Sequence, residues 1–316
     1  MKKLFIISSK SGKSDYKKYY DKLLINNSKE EIKVTKSKDD ARNFARKFRD
    51  AGGDVLILLG GDGVLSEVAS VVKNSKTALG LIPMGTANDF SKNFDYSNFN
   101  IENLEINKIE KIDLIEVNNE TCINITSLGF DTNVLVHAYD IMNRKNIGKN
   151  LGYIYGVTKS ILNLENTKLE INAKLGENET NIHGNFLISA LCNGSFYGNG
   201  FNPSPNGKIN DGVLNLIIAE KMSILKLFSL IMSYRKGNHL GTRGVREIQT
   251  TSGALKSDRE FLYNIDGEIK KANKINYKIL EKSLNWVYFK WGEYESSSIC
   301  RNHCRYKNGF RFIKRK

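Results

Sequence analysis

The chain is poor in proline and cysteine, with three prolines and four cysteines among 316 residues. Four cysteines at this length do not form a disulfide framework, which argues against a disulfide-stapled secreted scaffold. Cys300, His303 and Cys304 lie close together near the C-terminus. A lone cluster of this kind lacks the second ligand pair of a closed zinc site. We therefore interpret the cysteines as free thiols.

Long apolar runs are also missing. Met1-Lys2-Lys3 is followed by only four apolar residues, too few for the hydrophobic region of a signal peptide. The longest runs, "VLILL" and "VLNLIIA", fall far short of the roughly 20 residues that span a bilayer. We expect a soluble, cytoplasmic protein that at most associates peripherally with the inner face of the membrane.

Acidic residues are outnumbered, because 48 Lys and Arg stand against 34 Asp and Glu and leave a net charge of +14. Such a surface favours nucleic acid, an anionic membrane or phosphorylated small molecules as partners. No nucleic-acid-binding module is recognisable, so we expect no specific nucleic acid. With 40% hydrophobic residues the chain can bury ordinary cores, and its length is typical of about two domains.

Two regions of different pattern divide the chain. Residues 1–112 alternate short apolar runs with helical patterns, which predicts βαβ units and a parallel sheet. Residues 113–291 are β-like with turn-rich connections, interrupted by helical patterns at 132–142, 151–163 and 223–236. The segment 193–212 is rich in Gly, Asn, Pro and Ser, and long irregular loops of this kind are usually functional. A basic tail follows at 292–316.

The stretch "VLILLGGDGVLSEVAS", residues 55–70, places Asp62 between glycines where a predicted strand gives way to a helix. An Asp-Gly pair is typical of a tight turn. Backbone N–H groups at a strand-to-helix turn also form an anion site, and the carboxylate is then placed to hold a metal. Taken alone, the stretch does not decide between these two interpretations.

A second loop, "GLIPMGTANDF" at residues 80–90, supplies Thr86, Asn88 and Asp89 after the next predicted strand. Thr and Asn are also good helix N-caps, so this loop alone favours a structural role. Ligands of open α/β sheets bind at the carboxyl ends of the strands. Because both loops follow neighbouring strands, we expect them to face each other at that edge.

Together the two loops resemble the diacylglycerol kinase catalytic family, whose pattern is similar to GGDGT-x-N-E followed by P-x-GT-x-ND-F. This chain has "GGDGVLSE" and "PMGTANDF" at the same spacing. The GGDG element is shared with NAD kinases and phosphofructokinases. The resemblance extends from Met1 to about residue 290 through "SSKSG", "IKVTKS", "KIDLIEVN", "NGSFYGNGFNPSPNGKINDGVLNL" and "YNIDGE".

The resemblance implies an α/β protein of two domains. Residues 1–112 would form an α/β nucleotide domain like those of NAD kinases and phosphofructokinases, and residues 113–291 a β-rich sandwich domain for the lipid substrate. It implies a lipid kinase that uses ATP and Mg²⁺ to phosphorylate the hydroxyl of diacylglycerol or a related lipid, giving phosphatidic acid or an equivalent lipid phosphate. The expected partners are the lipid substrate and the membrane surface, and a homodimer is left open.

The resemblance also implies the roles of individual residues. The catalytic residues would be Asp62, Asp89 and Glu268, with Glu268 as the base that accepts the substrate hydroxyl proton. The nucleotide contacts would be Ser8, Ser9, Lys10, Ser11, Gly12, Thr35, Gly60, Gly61, Asp62, Gly63, Val64, Leu65, Ser66, Glu67, Thr86 and Asn88. A structural Mg²⁺ would be held by Asp211 with main-chain carbonyls of Lys208 and Val213, near Asp113. In isolation, the Asp-Gly pairs beside Glu268 and at 211–212 are equally typical of surface turns.

The match departs from the family at a few positions. Val64 stands where the family has Thr, and losing one such hydrogen bond costs about 1 kcal/mol. Ser66 replaces Asn, and Ser8-Ser9 replace Asn-Pro. The acidic residues are all kept, so we favour an active kinase. The alternatives are an NAD-kinase-like enzyme and a non-catalytic membrane-surface regulator that retains the kinase fold.

The basic, aromatic tail is one candidate for membrane contact, since Lys and Arg near an anionic surface each contribute about 1 kcal/mol. A solvated terminus is an equally good interpretation of the same residues.

Overall fold

The computed structural model describes residues 1–11, 16–96, 101–102, 104–145 and 147–290. The predicted nucleotide contact Gly12 lies outside the described residues. So does the basic tail at 292–316, with its cluster of Cys300, His303 and Cys304.

The N-terminal part alternates strands and helices, as the sequence pattern predicts. Its elements are β1 (Lys3–Ile7), α1 (Tyr16–Leu24), a 3-10 turn (Lys29–Glu31), β2 (Ile32–Val34), α2 (Asp40–Asp50), β3 (Val55–Gly60), α3 (Asp62–Val72), β4 (Ala78–Pro83) and a second 3-10 turn (Phe90–Asn93). The strands are parallel in the order β4-β3-β1-β2. Every residue of β3 is buried, as expected for a parallel strand covered on both faces.

The C-terminal part is rich in antiparallel strands. Its elements are β5 (Glu105–Val117), β6 (Glu120–Cys122), β7 (Ile125–Gly129), α4 (Phe130–Lys145), α5 (Lys149–Leu162), β8 (Thr167–Leu175), β9 (Asn178–Cys192), β10 (Leu214–Glu220), α6 (Ile224–Arg235), β11 (Val245–Thr250), β12 (Ser252–Ile265) and β13 (Glu268–Lys290). The central path is β11-β10-β9-β7-β12-β13, and β8 pairs with both β9 and β12. The predicted combination of an α/β part and a β-rich part is confirmed.

Strand β13 joins the two parts of the fold. It is a single strand of 23 residues. Its register on β5 shifts between Leu280 and Leu284, where Lys282 adopts a φ of +48°. Beyond that irregularity, Trp286 pairs in parallel with Leu79 of β4. The last strand of the β-rich part therefore extends the sheet of the α/β part, and the predicted boundary after residue 112 falls within β5.

An aromatic cluster holds this connection in place. The Trp286 ring is fully buried and stacks on Phe94 with ring centroids 5.1 Å apart. It also meets the edge of Phe90 at 5.3 Å. Phe90 ends the second loop and Phe94 follows it, so the cluster also positions that loop.

Three helices accompany the β-rich part. Helices α4 and α5 pack against each other, and α6 follows β10. No helix in the described part of the chain combines the length and hydrophobicity that crossing a bilayer requires. Cys122 and Cys192 are buried free thiols, as predicted.

Candidate functional site

The two glycine-containing loops touch each other. Gly60 ends β3 opposite Pro83 of β4. A Cβ atom on Gly85 would lie 2.7 Å from the Gly61 Cα and 2.6 Å from the Asn88 Oδ1. Only glycine allows the two backbones to approach so closely. The loops therefore face each other, as their positions after neighbouring strands predict.

Asp62 is the residue that ties the first loop to the second. It begins α3, and its carboxylate accepts hydrogen bonds from the N–H groups of Asp89 (3.1 Å) and Phe90 (3.0 Å). Burial raises the pKa of Asp62, the negative charge of Asp89 adds to this effect, and the two N–H donors oppose it. The Asp62 carboxylate therefore fixes the relative position of the two loops.

Asp89 continues the same chain of contacts into the C-terminal part. Its buried carboxylate accepts hydrogen bonds from the N–H groups of Asn199 (2.8 Å) and Gly200 (2.9 Å). It also pairs with the ammonium group of Lys92. The irregular segment 193–212 is thus anchored to the second loop, and Lys92 is a partner that the sequence pattern did not single out.

Asp266 is the site residue that sequence reasoning missed. Its Oδ2 accepts from the Ser66 hydroxyl (2.7 Å) and the Ile123 N–H (2.8 Å), and its Oδ1 accepts from the N–H groups of Asn124 (3.0 Å) and Ile125 (3.2 Å). The motif "YNIDGE" contains both Asp266 and Glu268, and the resemblance assigns a role only to the glutamate. The Ser66 hydroxyl, a predicted nucleotide contact, is engaged in this network.

Glu268 follows that turn and begins β13 with an exposed side chain. It lies close enough to Glu67 to affect its pKa. Burial raises the pKa of Glu67, the charge of Arg42 opposes this rise, and the charge of Glu268 adds to it. Tyr139 of α4 donates a hydrogen bond to the Gly267 carbonyl at 3.2 Å.

The loop after β1 completes the polar side of the site. The Ser9 N–H donates to the Thr35 hydroxyl (3.1 Å), and the Ser8 N–H donates to the Leu59 carbonyl (2.9 Å). These bonds hold the loop beside the end of β3. Lys10 and Ser11 project from it into the cavity described next.

One cavity of about 880 Å³ connects the loops to the helices of the C-terminal part. Its polar end is lined by Lys10, Ser11, Gly61, Asp62, Gly63, Thr86, Asp89, Asp266 and Glu268. Its apolar end is lined by Phe130, Val134, Leu135, Ile154, Val157, Ile188, Leu227, Leu230 and Ile231. Val64 and Leu65 of α3 also contribute. The remaining predicted nucleotide contacts among the described residues are not part of the lining: Ser8, Ser9, Thr35, Gly60, Ser66, Glu67 and Asn88.

A carboxylate and a tyrosine interrupt the apolar end. Asp131 accepts hydrogen bonds from the Tyr197 hydroxyl (2.9 Å) and the Thr132 N–H (2.9 Å). Burial raises the pKa of Asp131 to about 6, against the lowering effect of its hydrogen bonds. The hydroxyl of Tyr234, whose ring lies 6.3 Å from that of Tyr197, is buried and has no hydrogen-bond partner among the described residues.

The predicted structural metal site lies away from the cavity. Asp113 is fully buried and accepts from the N–H groups of Gly212 (2.8 Å) and Lys282 (2.7 Å). Burial raises the pKa of Asp113, and the charges of Asp211 and Glu281 add to the effect. The described residues contain no group of three or more His, Cys, Asp or Glu able to hold a metal. The predicted oxygen set of Asp211, Lys208 and Val213 therefore suits Mg²⁺ only with further water ligands, which Mg²⁺ commonly keeps.

Two buried oxygen atoms near the loops are candidate ligands for a cation that binds together with the nucleotide. The Glu67 Oε2 and the Asn88 Oδ1 have no hydrogen-bond partner in the described structure. Unpaired buried polar atoms are costly, and oxygen is the ligand type that Mg²⁺ prefers. These residues therefore fit a divalent cation or ordered water.

The sequence matches two known family models, which together span most of the chain. A family model described as "Diacylglycerol kinase catalytic domain" matches residues 2–117. A second, described as "YegS C-terminal NAD kinase beta sandwich-like domain", matches residues 124–287, which is more than half of the chain. The chain belongs to the diacylglycerol kinase catalytic family. It is accordingly a lipid kinase, and the resemblance drawn from its two loops is confirmed.

Individual relatives of the chain are also named as lipid kinases. A protein of Escherichia fergusonii named "Probable lipid kinase YegS" is 30% identical over 262 residues, covering 80% of this chain and 84% of the relative. A Shigella boydii protein of the same name is 29% identical over 262 residues, with the same coverage. The crystal structure of a diacylglycerol kinase from Bacillus anthracis str. Sterne has the same fold, with a TM-score of 0.65, 17% identity and coverage of 91% and 96% of the two chains.

Proposed function

We propose that this lipid kinase transfers the γ-phosphate of ATP to the hydroxyl of diacylglycerol or a related lipid, giving phosphatidic acid or an equivalent lipid phosphate. The observation that carries the proposal is the continuous cavity of about 880 Å³, which is polar beside the two loops and apolar between the helices. A lipid is divided in the same way, because its headgroup is polar and its acyl chains are apolar. The junction between the two ends is where its hydroxyl would meet the nucleotide.

The polar end provides the positioning and charge neutralisation that phosphoryl transfer mainly needs. Helix α3 begins at Asp62 beside the cavity, and N–H groups at the start of a helix bind phosphate oxygens. Lys10 adds a cation to the same end. Mg²⁺, when bound, would neutralise phosphate charge, and the carboxylates of Asp62, Asp89 and Glu268 offer oxygen ligands at this end of the cavity. Asp211 and the carbonyls of Lys208 and Val213 would hold a separate structural ion.

Glu268 is placed to act as the base. It is exposed at the cavity, and the tight turn at Asp266 and Gly267 fixes its backbone. A carboxylate within reach of the lipid hydroxyl can accept its proton as the phosphoryl group is transferred. Asp62 and Asp89 would contribute by holding the loops and through their charge, since their carboxylates already accept backbone hydrogen bonds.

The apolar end argues against the NAD-kinase-like alternative. Its lining is mostly aliphatic, with Phe130 and Phe201 as its phenylalanines, and its buried carboxylate, Asp131, is already paired with the Tyr197 hydroxyl. The ribose and phosphate groups of NAD would lose water against these aliphatic side chains. Acyl chains gain from the same burial.

The test offers the purified protein labelled ATP and Mg²⁺ with diacylglycerol micelles, sphingosine or NAD. We expect label in lipid phosphate, and a fall of about a hundredfold or more in kcat for Glu268→Gln, as for loss of a general base. Glu260→Gln is the matched control, because that exposed carboxylate on β12 only pairs with Lys271. Asp62→Asn is expected to lose activity and also some stability, since it loosens the contact between the loops.

The outcomes separate the parts of the proposal. Label found only in NADP would overturn the lipid substrate. A folded protein that labels no acceptor across a broad lipid panel would favour the non-catalytic regulator. Full activity of Glu268→Gln would remove the base assignment and leave the kinase reaction standing.

A further inference from the structure

Helices α5 and α6 carry most of the exposed large apolar side chains of the described structure. Of eleven such residues, eight belong to these two helices: Leu151, Ile154, Tyr155, Leu162, Ile224, Leu225, Phe228 and Met232. Single exposed apolar residues are ordinary on a protein surface, but a concentration on two helices that line the same cavity indicates an interaction site.

Helix α6 is apolar on opposite sides. Leu227 and Leu230 are buried in the core of the β-rich part. On the other side, Leu225 is 84% exposed, Phe228 54% and Met232 59%. A helix that is hydrophobic all round is normally buried. The outer side of α6 therefore suits an apolar environment outside the protein.

The same two helices form the wall of the cavity. Ile154 and Val157 of α5 and Leu227 and Ile231 of α6 line its apolar end. Apart from Ile154, which also lines the cavity, the exposed apolar side chains of α5 and α6 are absent from the cavity lining. They belong to the same two helices whose other residues would hold the acyl chains.

The charged residues of α5 and α6 indicate which kind of partner binds their exposed face. Neither α5 nor α6 contains Asp or Glu. Lys159, Lys226 and Arg235 are exposed on them, and Lys221 and Lys236 are exposed beside α6. Apolar side chains among basic residues are typical of helices that lie in the interface of an anionic bilayer. A second copy of the chain would instead bring like charges together.

We propose that the outer face of α5 and α6 docks onto the surface of an anionic lipid bilayer and brings the apolar end of the cavity to the membrane. Leu225, Phe228 and Met232 of α6 insert into the interface, together with Leu151 and Tyr155 of α5. The lysines contact lipid phosphates. The delivery of a lipid into the cavity rests on the proposed function, whereas the docking itself does not.

The experiment measures binding of the full chain to vesicles of phosphatidylcholine with and without phosphatidylglycerol, by flotation. We expect binding that requires phosphatidylglycerol, and at least about tenfold weaker binding for the double variant Leu225→Ser, Phe228→Ser. Lys226→Gln should weaken binding about fivefold. Ile25→Ser is the matched control, since Ile25 is 69% exposed but follows α1 in the α/β part.

Phosphorylation of a short-chain, water-soluble diacylglycerol separates this proposal from the proposed function. Neither Leu225 nor Phe228 lines the cavity, so the double variant should keep wild-type activity on the soluble substrate and lose it on vesicles. Met232→Ser alone provides a second test should the double variant fold poorly.

Wild-type vesicle binding by the double variant and by Met232→Ser would overturn the docking face, even if lipid is phosphorylated. Loss of vesicle binding without any lipid phosphorylation would support the docking face and overturn the proposed function. A wild-type dimer that the double variant dissociates, with no vesicle binding by either protein, would identify the face as an interface between copies and overturn membrane docking.

Discussion

Three carboxylates of the site accept hydrogen bonds from backbone N–H groups of other segments. Asp62 binds the start of the second 3-10 turn, Asp89 binds the segment 193–212, and Asp266 binds residues 123–125. Hydrogen bonds to charged groups contribute about 1.5–3 kcal/mol each. Substitutions at these positions are therefore expected to change folding and, under the proposed function, catalysis together. The Glu268 side chain is exposed, so its substitution tests the proposed base with little effect on folding.

Asp131 makes the stability of the protein depend on pH. Its folded-state pKa is raised to about 6 by burial, above an unfolded value of about 3.9. Its protonation thus favours the folded state, and this contribution is complete below about pH 4 and is lost as the pH rises through about 6. The loss is roughly 3 kcal/mol.

We expect Asp131→Asn to remove this part of the pH dependence. Chemical unfolding of both proteins between about pH 4 and pH 7 measures it. The free energy of unfolding of the wild type should fall more steeply with rising pH than that of the variant. The buried carboxyls of Asp62, Glu67 and Asp113 have pKa values raised in the same direction, so some dependence remains in both. Parallel pH profiles would contradict the assignment to Asp131.

At the scale of elements, the geometry of the site depends on the contact between the loops after β3 and β4. Gly85→Ala places a methyl group 2.7 Å from the backbone Cα of Gly61, so the loops must move apart. We expect a loss of about 1–3 kcal/mol in unfolding free energy and at least about a tenfold loss of kinase activity, because small misplacements of catalytic groups are costly.

Gly63→Ala is the matched control in the same region. Gly63 lies in α3, and a Cβ there would meet nothing within 4 Å. Alanine is favoured over glycine in helices, so this variant should be neutral or up to about 1 kcal/mol more stable. Equal stability of the Gly85 and Gly63 variants would contradict a tight contact between the loops.

At the scale of the whole molecule, β13 connects the two parts of the fold in one sheet. Trp286 lies where β13 meets β4 and is packed against Phe90 and Phe94. We expect Trp286→Ala to cost about 3–5 kcal/mol, as for other large buried side chains. Equilibrium unfolding in denaturant measures this loss.

Ile109→Ala is the control, because Ile109 lies on β5 beside β13 but is 44% exposed. It should change the unfolding free energy by no more than about 0.5 kcal/mol. A Trp286 variant as stable as the Ile109 variant would show that this connection contributes little to the fold.

The sequence by itself determined the kind of protein and the place of its polar loops. Apolar runs alternating with helical patterns specify the parallel sheet, and the spacing of "GGDG" and "GTAND" puts both loops at one edge. These are local properties, set by periodicity and by the residue types at the end of each strand. The family and the fold class could therefore be predicted.

Only the tertiary structure decided how the carboxylates are used and where the cavity leads. The Ser66 hydroxyl and the Asp266 carboxylate are 200 residues apart in the chain yet 2.7 Å apart in space. The return of β13 to β4, and the joint wall that α5 and α6 form around the cavity, also depend on contacts between distant segments. Local patterns carry little information about such contacts, because packing energies and not residue propensities select them. That is why the sequence indicated Glu268 and passed over Asp266, Lys92 and the exposed face of α6.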